Sequence, residues 1–129
     1  MQIEHIAIWT SDLERLRDFY VRYFAATPGL PYHNPNKRFA SYFLSFPDGA
    51  RLELMCAPDI EGEQVDFAGK RAGYAHLAFS CGSENQVNEL TDRLQNDGYA
   101  VLQGPHWTGD GYYESVISDP DGNQIELTI

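Results

Sequence analysis

The chain states one pattern twice. Glu4-His5-Ile6-Ala7-Ile8 returns as Ala75-His76-Leu77-Ala78-Phe79, and Pro47-Asp48-Gly49-Ala50-Arg51-Leu52-Glu53-Leu54 returns as Pro120-Asp121-Gly122-Asn123-Gln124-Ile125-Glu126-Leu127. His5 and His76 lie 71 residues apart, and Glu53 and Glu126 lie 73 apart. Each half therefore carries one His near its start and one Glu near its end. Two copies of a unit tend to pack about a pseudo-twofold axis. That would gather two imidazoles and two carboxylates, a mixed nitrogen and oxygen set suited to a divalent metal.

At 129 residues the chain reads as one domain, long enough for a real core and too short for two independent ones. Module one is expected over residues 1–56, a polar connection over 57–72 and module two over 73–129. No apolar run approaches the roughly 20 residues that span a bilayer. Met1-Gln2-Ile3-Glu4 leads directly into a strand-like segment, which leaves no room for a signal peptide, so a cytoplasmic location is expected. Nine Lys and Arg against nineteen Asp and Glu give a net charge of −10, a field that repels nucleic acid and anionic membrane. Cys56 and Cys81 have no zinc or redox spacing and end apolar segments, as buried inert thiols do.

Within each half the order predicted is strand, helix and three strands, an α+β chain of two tandem βαβββ modules. Gln2–Trp9 and Tyr74–Cys81 alternate as strands. Ser11-Asp12-Leu13-Glu14 and Ser83-Glu84-Asn85-Gln86 read as capping boxes with Ser at the cap. Leu13, Leu16, Tyr20 and Tyr23 then recur at helical spacing to about Phe24, as do Val87, Leu90 and Leu94, with Gly98 as terminator. Phe39–Phe46 and Arg51–Cys56 are strands joined by a Pro-Asp-Gly turn, Pro28 to Pro35 reads as loop, and a weaker strand is expected near Tyr32. Tyr99–Gln103, Tyr112–Ser118 and Gln124–Ile129 are the later strands of the second half.

Alternation along a strand decides which way the four repeated side chains point. His5 opposes Ile6 and Ile8, and His76 opposes Leu77 and Phe79. Glu53 opposes Leu52 and Leu54, and Glu126 opposes Ile125 and Leu127. An apolar face is thus free to pack under a helix in all four strands, with the polar residue on the concave side. One such His or Glu on a strand is commonly just solvated. Four at symmetric positions point to a shared cation, because gathering carboxylates in a cavity costs several kcal/mol unless something neutralises them.

These residues also carry a resemblance to the vicinal oxygen chelate superfamily, the glyoxalase, bleomycin-resistance and extradiol dioxygenase relatives. It spans essentially the whole chain and rests on His5, on Gly73-Tyr74-Ala75-His76-Leu77-Ala78-Phe79 and on the closing Asp119-Pro120-Asp121-Gly122-Asn123-Gln124-Ile125-Glu126-Leu127. The resemblance implies an open, barrel-like, cup-shaped sheet with helices outside, around one divalent ion: nickel, zinc, cobalt, manganese or iron(II). The full set of His5, Glu53, His76 and Glu126 is similar to that of glyoxalase I-like lyases. Extradiol dioxygenases and fosfomycin-modifying transferases need only one carboxylate, methylmalonyl-CoA epimerases usually place Gln where Glu53 stands, and bleomycin-binding relatives lack the ligands.

What the resemblance implies is a lyase or isomerase acting through an enediolate on a hemithioacetal or related α-hydroxycarbonyl compound. Glu126 would be the base, and Glu53 would serve the opposite face. An iron(II)-type dioxygenase and a non-catalytic small-molecule binder are the alternatives. A homodimer is expected on the same ground. The stretches that bind glutathione carboxylates in the better-defined glyoxalases are Trp9-Thr10-Ser11 and Pro105-His106-Trp107-Thr108-Gly109 here, without Lys or Arg. Trp9, Trp107, Tyr112 and Tyr113 offer an aromatic substrate pocket, or alternatively core. Lys70 and Arg71 are candidates for an anion contact or a solvated pair. His33 and His106 are expected in loops.

Overall fold

The structure is a computed structural model that describes residues 1–58, 60 and 72–129. Its elements run β1 (His5–Trp9), α1 (Leu13–Phe24), β2 (Thr27–Pro28), β3 (Tyr32–Asn34), β4 (Phe39–Ser45) and β5 (Arg51–Cys56), then β6 (Leu77–Ser80), α2 (Glu84–Asn96), β7 (Val101–Trp107), β8 (Tyr113–Ser118) and β9 (Gln124–Thr128). They form two compact units, Met1–Glu63 and Gln64–Ile129, each an unclosed mixed sheet with one helix.

In the first unit β1 runs parallel to β5, β5 antiparallel to β4, and β4 pairs with both β2 and β3. In the second, β6 is parallel to β9, β9 antiparallel to β8 and β8 antiparallel to β7. The two sheets share a plan down to the register. Ala7 pairs with Glu53 as Ala78 pairs with Glu126, and Phe43 faces Glu53 as Val116 faces Glu126. The duplication visible in the sequence is therefore a duplication of hydrogen-bond register.

Each helix covers the apolar face of its own sheet. Leu16, Phe19, Tyr20 and Tyr23 of α1 are buried, as are Leu44, Leu52 and Leu54 of the sheet. Val87, Thr91 and Leu94 of α2 are buried, as are Ile117, Ile125 and Leu127. Each fully buried Leu or Ile stabilises its unit by about 1.5–3 kcal/mol relative to exposure, so these small sets dominate the packing. Polar ties fix where each helix sits. Tyr42 Oη donates to Glu14 Oε1 at 2.8 Å and accepts from Arg17 Nη1 at 3.1 Å. Thr91 Oγ1 and Ser115 Oγ are 2.6 Å apart in the second core, and Thr91 Oγ1 donates to Val87 O at 2.7 Å.

Several details differ from the sequence expectation. The cap of α1 is Asp12, whose side chain accepts from Arg15 N, and not Ser11. Asp and Ser are near-equivalent caps, so adjacent candidates leave the first turn ambiguous by one residue. In α2 the cap is Ser83, as expected. The span 28–35 is not simple loop, because Pro28 closes β2 and Tyr32–Asn34 form β3. Both pieces edge β4, so the third strand of the first module is split in two. The strand before β8 extends to Trp107, carried past Gly104 and Pro105 by register shifts between Val101 and His106. His33 and His106 consequently lie in strands. No helix among the described residues is long and apolar enough to cross a membrane.

Candidate metal centre

Parallel pairing of the first and last strand of each unit brings its His to its Glu. Ala7 is opposite Glu53, and His5 stands two residues earlier on the same face. Ala78 is opposite Glu126, and His76 again stands two residues earlier. His5 Nε2 lies 3.8 Å from Glu53 Oε2, and His76 Nε2 lies 3.3 Å from Glu126 Oε2. The carboxylates are sheltered, with side-chain exposures of 15% for Glu53 and 17% for Glu126. Neither accepts a hydrogen bond from another side chain among the described residues. The nearest charged neighbour of each carboxylate is the imidazole of its own unit.

The donor chemistry fits a divalent ion. A ligand pair about 2.0–2.2 Å from one ion at near-tetrahedral angles is about 3.3–3.6 Å apart, close to both separations. Among the described residues no group of three or more His, Cys, Asp or Glu is gathered as a metal site. Each unit presents one His–Glu pair.

The surroundings of the two pairs are unequal. His5 Nδ1 bonds Glu4 Oε2, and Arg51 Nε donates to Glu4 Oε1 at 2.8 Å. These contacts hold the Glu4 carboxyl below its ordinary range, the His5 bond contributing most and Arg51 next. The His5 ring meets Phe43 edge-on at 5.3 Å, and the Arg51 guanidinium lies 4.2 Å over the same ring. In the second unit Glu114 shares the face of Glu126, one diagonal step away across β8 and β9. Its carboxyl is pushed up by burial and then by the charge of Glu126. His106 sits opposite Glu114, with Nδ1 3.0 Å from Gly104 O and Nε2 3.0 Å from Gln103 Nε2.

The aromatic residues divide. Trp9 is half exposed on the His5 face and packs edge-on against Phe39 at 6.1 Å, and Tyr32 meets Phe39 at 6.1 Å as well. Tyr113 donates from Oη to Asn88 Oδ1 of α2 at 2.8 Å, and Trp107 packs on it at 5.4 Å. That pair lies on the helix side of its sheet, away from Glu126. Tyr112 is exposed in the turn before β8. Lys70 and Arg71 lie outside the described residues. Cys56 and Cys81 are free and only partly buried, and burial raises the Cys81 thiol. A cavity of about 560 Å³ at the far end of β5, lined by Ser11, His33, Arg38, Cys56 and Pro58 among others, contains neither His5 nor Glu53.

Sequence reasoning missed Glu4, Phe43 and Glu114. Glu4 lies within the expected strand but has Ala75, not an acid, as its repeated counterpart, Phe43 lies in a strand with aromatic residues on both faces, and Glu114 has no acidic counterpart either: the first sheet places Ser41 there. Strand register alone exposes them.

The two-module layout of the fold agrees with the comparisons. The family model for the glyoxalase/bleomycin resistance protein/dioxygenase superfamily matches residues 2–127. The chain belongs to this superfamily. It is 32% identical over 130 residues to the uncharacterized protein YqjT of Bacillus subtilis, covering 97% of this chain and 96% of that one. A superfamily domain from Frankia superposes with a TM-score of 0.83 at 18% identity, covering 100% of this chain and 97% of that one. Glyoxalase I from Zea mays superposes with a TM-score of 0.80 at 21% identity. The match covers 98% of this chain and 44% of the maize chain, so this chain spans less than half of that protein. At those identities the two structures establish the fold alone. The superfamily membership confirms the resemblance drawn from His5, His76 and the closing Asp-Pro-Asp-Gly segment.

Proposed function

We propose that this chain is a divalent-metal-dependent lyase or isomerase of the glyoxalase I type, converting a hemithioacetal of an α-keto aldehyde into a 2-hydroxyacyl thioester. The observation that carries this reading is the matched register of two His–Glu pairs, His5 with Glu53 and His76 with Glu126. Four ligands, two of them carboxylates, exceed the two-His, one-carboxylate set of an iron(II) dioxygenase.

His5, Glu53, His76 and Glu126 would hold the ion. When bound, it supplies Lewis-acid stabilisation of negative charge on neighbouring substrate oxygens. The protein's own residues do the proton work. Glu126 takes the proton from the carbon that bears sulfur and returns it to the adjacent carbonyl carbon, while the hydroxyl proton of the first carbon passes to the oxygen of the second. The product is an isomer of the hemithioacetal, and no atom is gained or lost. Glu53 is the corresponding base for the opposite face. Trp9, Phe39 and Tyr32 give the first sheet an apolar wall for the substrate chain. The superfamily's habit of dimerising makes a homodimer the proposed assembly, and the cytoplasm the proposed location.

The thiol partner is proposed to lack glutathione's two carboxylates. Glu114 beside Glu126 and the net charge of −10 oppose an anionic co-substrate. The reaction is tested by thioester formation from methylglyoxal with either 2-mercaptoethanol or glutathione, using protein reconstituted with nickel, cobalt or zinc. Turnover of the 2-mercaptoethanol adduct at least about 10-fold above the glutathione adduct in kcat/KM is expected, a difference of about 1.4 kcal/mol. No thioester with any metal and either thiol would overturn the lyase reading.

A further inference from the structure

We propose that Glu4 is a positioning residue that locks the His5 imidazole in the tautomer leaving Nε2 free for a metal, and that the second half of the chain has no such lock. The inference rests on the reading of His5 as a metal ligand. A carboxylate can only accept a hydrogen bond, so the bond from His5 to Glu4 requires the proton on Nδ1. A neutral ring then carries its lone pair on Nε2, the nitrogen that faces Glu53 Oε2. Carboxylates that bind the remote nitrogen of a metal-ligating His orient the ring and raise its basicity.

Glu4 is itself held. Its Oε2 serves His5, and its Oε1 accepts from Arg51 Nε at 2.8 Å and also from Nη2. Backbone pairing fixes the same two residues, with Arg51 N donating to Glu4 O at 3.0 Å. Phe43 supports both ends of the clamp, meeting His5 edge-on and Arg51 face-on. The four residues form one unit in which turning the imidazole would break the Glu4 bond and lift the ring from Phe43.

The repeat supplies its own control. Ala75 stands where Glu4 stands, Gln124 where Arg51 stands and Val116 where Phe43 stands. All three clamp residues are missing from the second half, and among the described residues His76 Nδ1 has no side-chain partner. The two imidazoles of one proposed site are therefore prepared differently: His5 is set before metal arrives, whereas His76 is left to settle on binding.

Nitrogen-15 NMR of the metal-free protein above the His titration range reads this directly. His5 should be almost wholly the Nδ1–H tautomer, while His76 shows the usual mixture dominated by Nε2–H. Glu4→Ala should return His5 to the mixture, and Glu4→Asp should restore the lock in part. Nickel affinity by competition with a chelating dye should fall about 10–100-fold in Glu4→Ala and less in Glu4→Gln. Glu89→Gln, the loss of one negative charge on an exposed face of α2, should leave it unchanged. A mixed tautomer at His5 in the wild type would overturn the proposal, as would nickel binding equal in Glu4→Ala and Glu89→Gln. If the wild type binds no nickel, the ligand reading falls with the proposed function, and the metal role of Glu4 falls with it.

Discussion

Replacing Glu126 by Gln is expected to lower kcat by about 10²–10⁴-fold, the range ascribed to a positioned general base. Gln keeps a carbonyl oxygen where the carboxylate oxygen faces His76, so a metal should be held more weakly but still bind at saturating nickel. It cannot accept the carbon proton. The effect should therefore fall on kcat at full metal occupancy, with a smaller change in KM. Glu53→Gln is the informative partner. If Glu126 serves the main reaction, Glu53→Gln should lose less activity than Glu126→Gln at equal nickel content. Unchanged kcat in Glu126→Gln, with nickel content measured in the same samples, removes the base from this residue. Equal losses in the two variants would mean that both carboxylates act, one on each face.

Asp119→Ala should destabilise the second unit by about 2–4 kcal/mol in urea unfolding at neutral pH. Asp119 is buried at the turn between β8 and β9. Its Oδ1 accepts from Asp121 N at 2.9 Å and Asn123 N at 2.8 Å, and its Oδ2 from Asn123 Nδ2 at 2.8 Å. Truncation strands these donors in the turn that leads into Gln124 and then Glu126. Burial pushes the Asp119 carboxyl above its ordinary value of 3.8, although its hydrogen bonds pull the other way. A carboxyl raised in the folded state holds its proton longer there than in the unfolded chain. Its contribution is therefore greatest below pH 3.8 and declines as pH rises through the raised value. The stability difference between wild type and Asp119→Ala should accordingly be larger at pH 3.5 than at pH 7. A difference that grows with pH would show that hydrogen bonding to the ionised form outweighs burial.

Much of the fold is legible in the chain because its local signals agree. The alternation in His5–Trp9 and Gln124–Thr128, the helical stripe of Leu16, Tyr20 and Tyr23, and the Ser83 cap all point to the observed elements. Strand alternation also places His5, Glu53, His76 and Glu126 on the faces opposite the buried leucines and isoleucines. What alternation cannot give is register. Trp107 and Tyr113 could be pocket or core on sequence, and their pairing puts both on the α2 side of the sheet, with Tyr113 bonded to Asn88. Glu4 looks like a terminal surface charge until Arg51 is brought opposite His5. Glu114 shares the Glu126 face only because β8 pairs with β9 as it does. Residues whose role depends on a neighbouring strand stay silent in a single sequence. Residues whose role depends on their own strand speak, and a repeat lets them speak twice.

The most direct test is nickel content and affinity, measured side by side for the wild type, His5→Ala, Glu53→Ala, His76→Ala and Glu126→Ala. One tightly held ion per chain in the wild type, lost or greatly weakened in every variant, is the predicted result, because the proposed ion would take His5, Glu53, His76 and Glu126 together. Full occupancy surviving either His5→Ala or His76→Ala would contradict it.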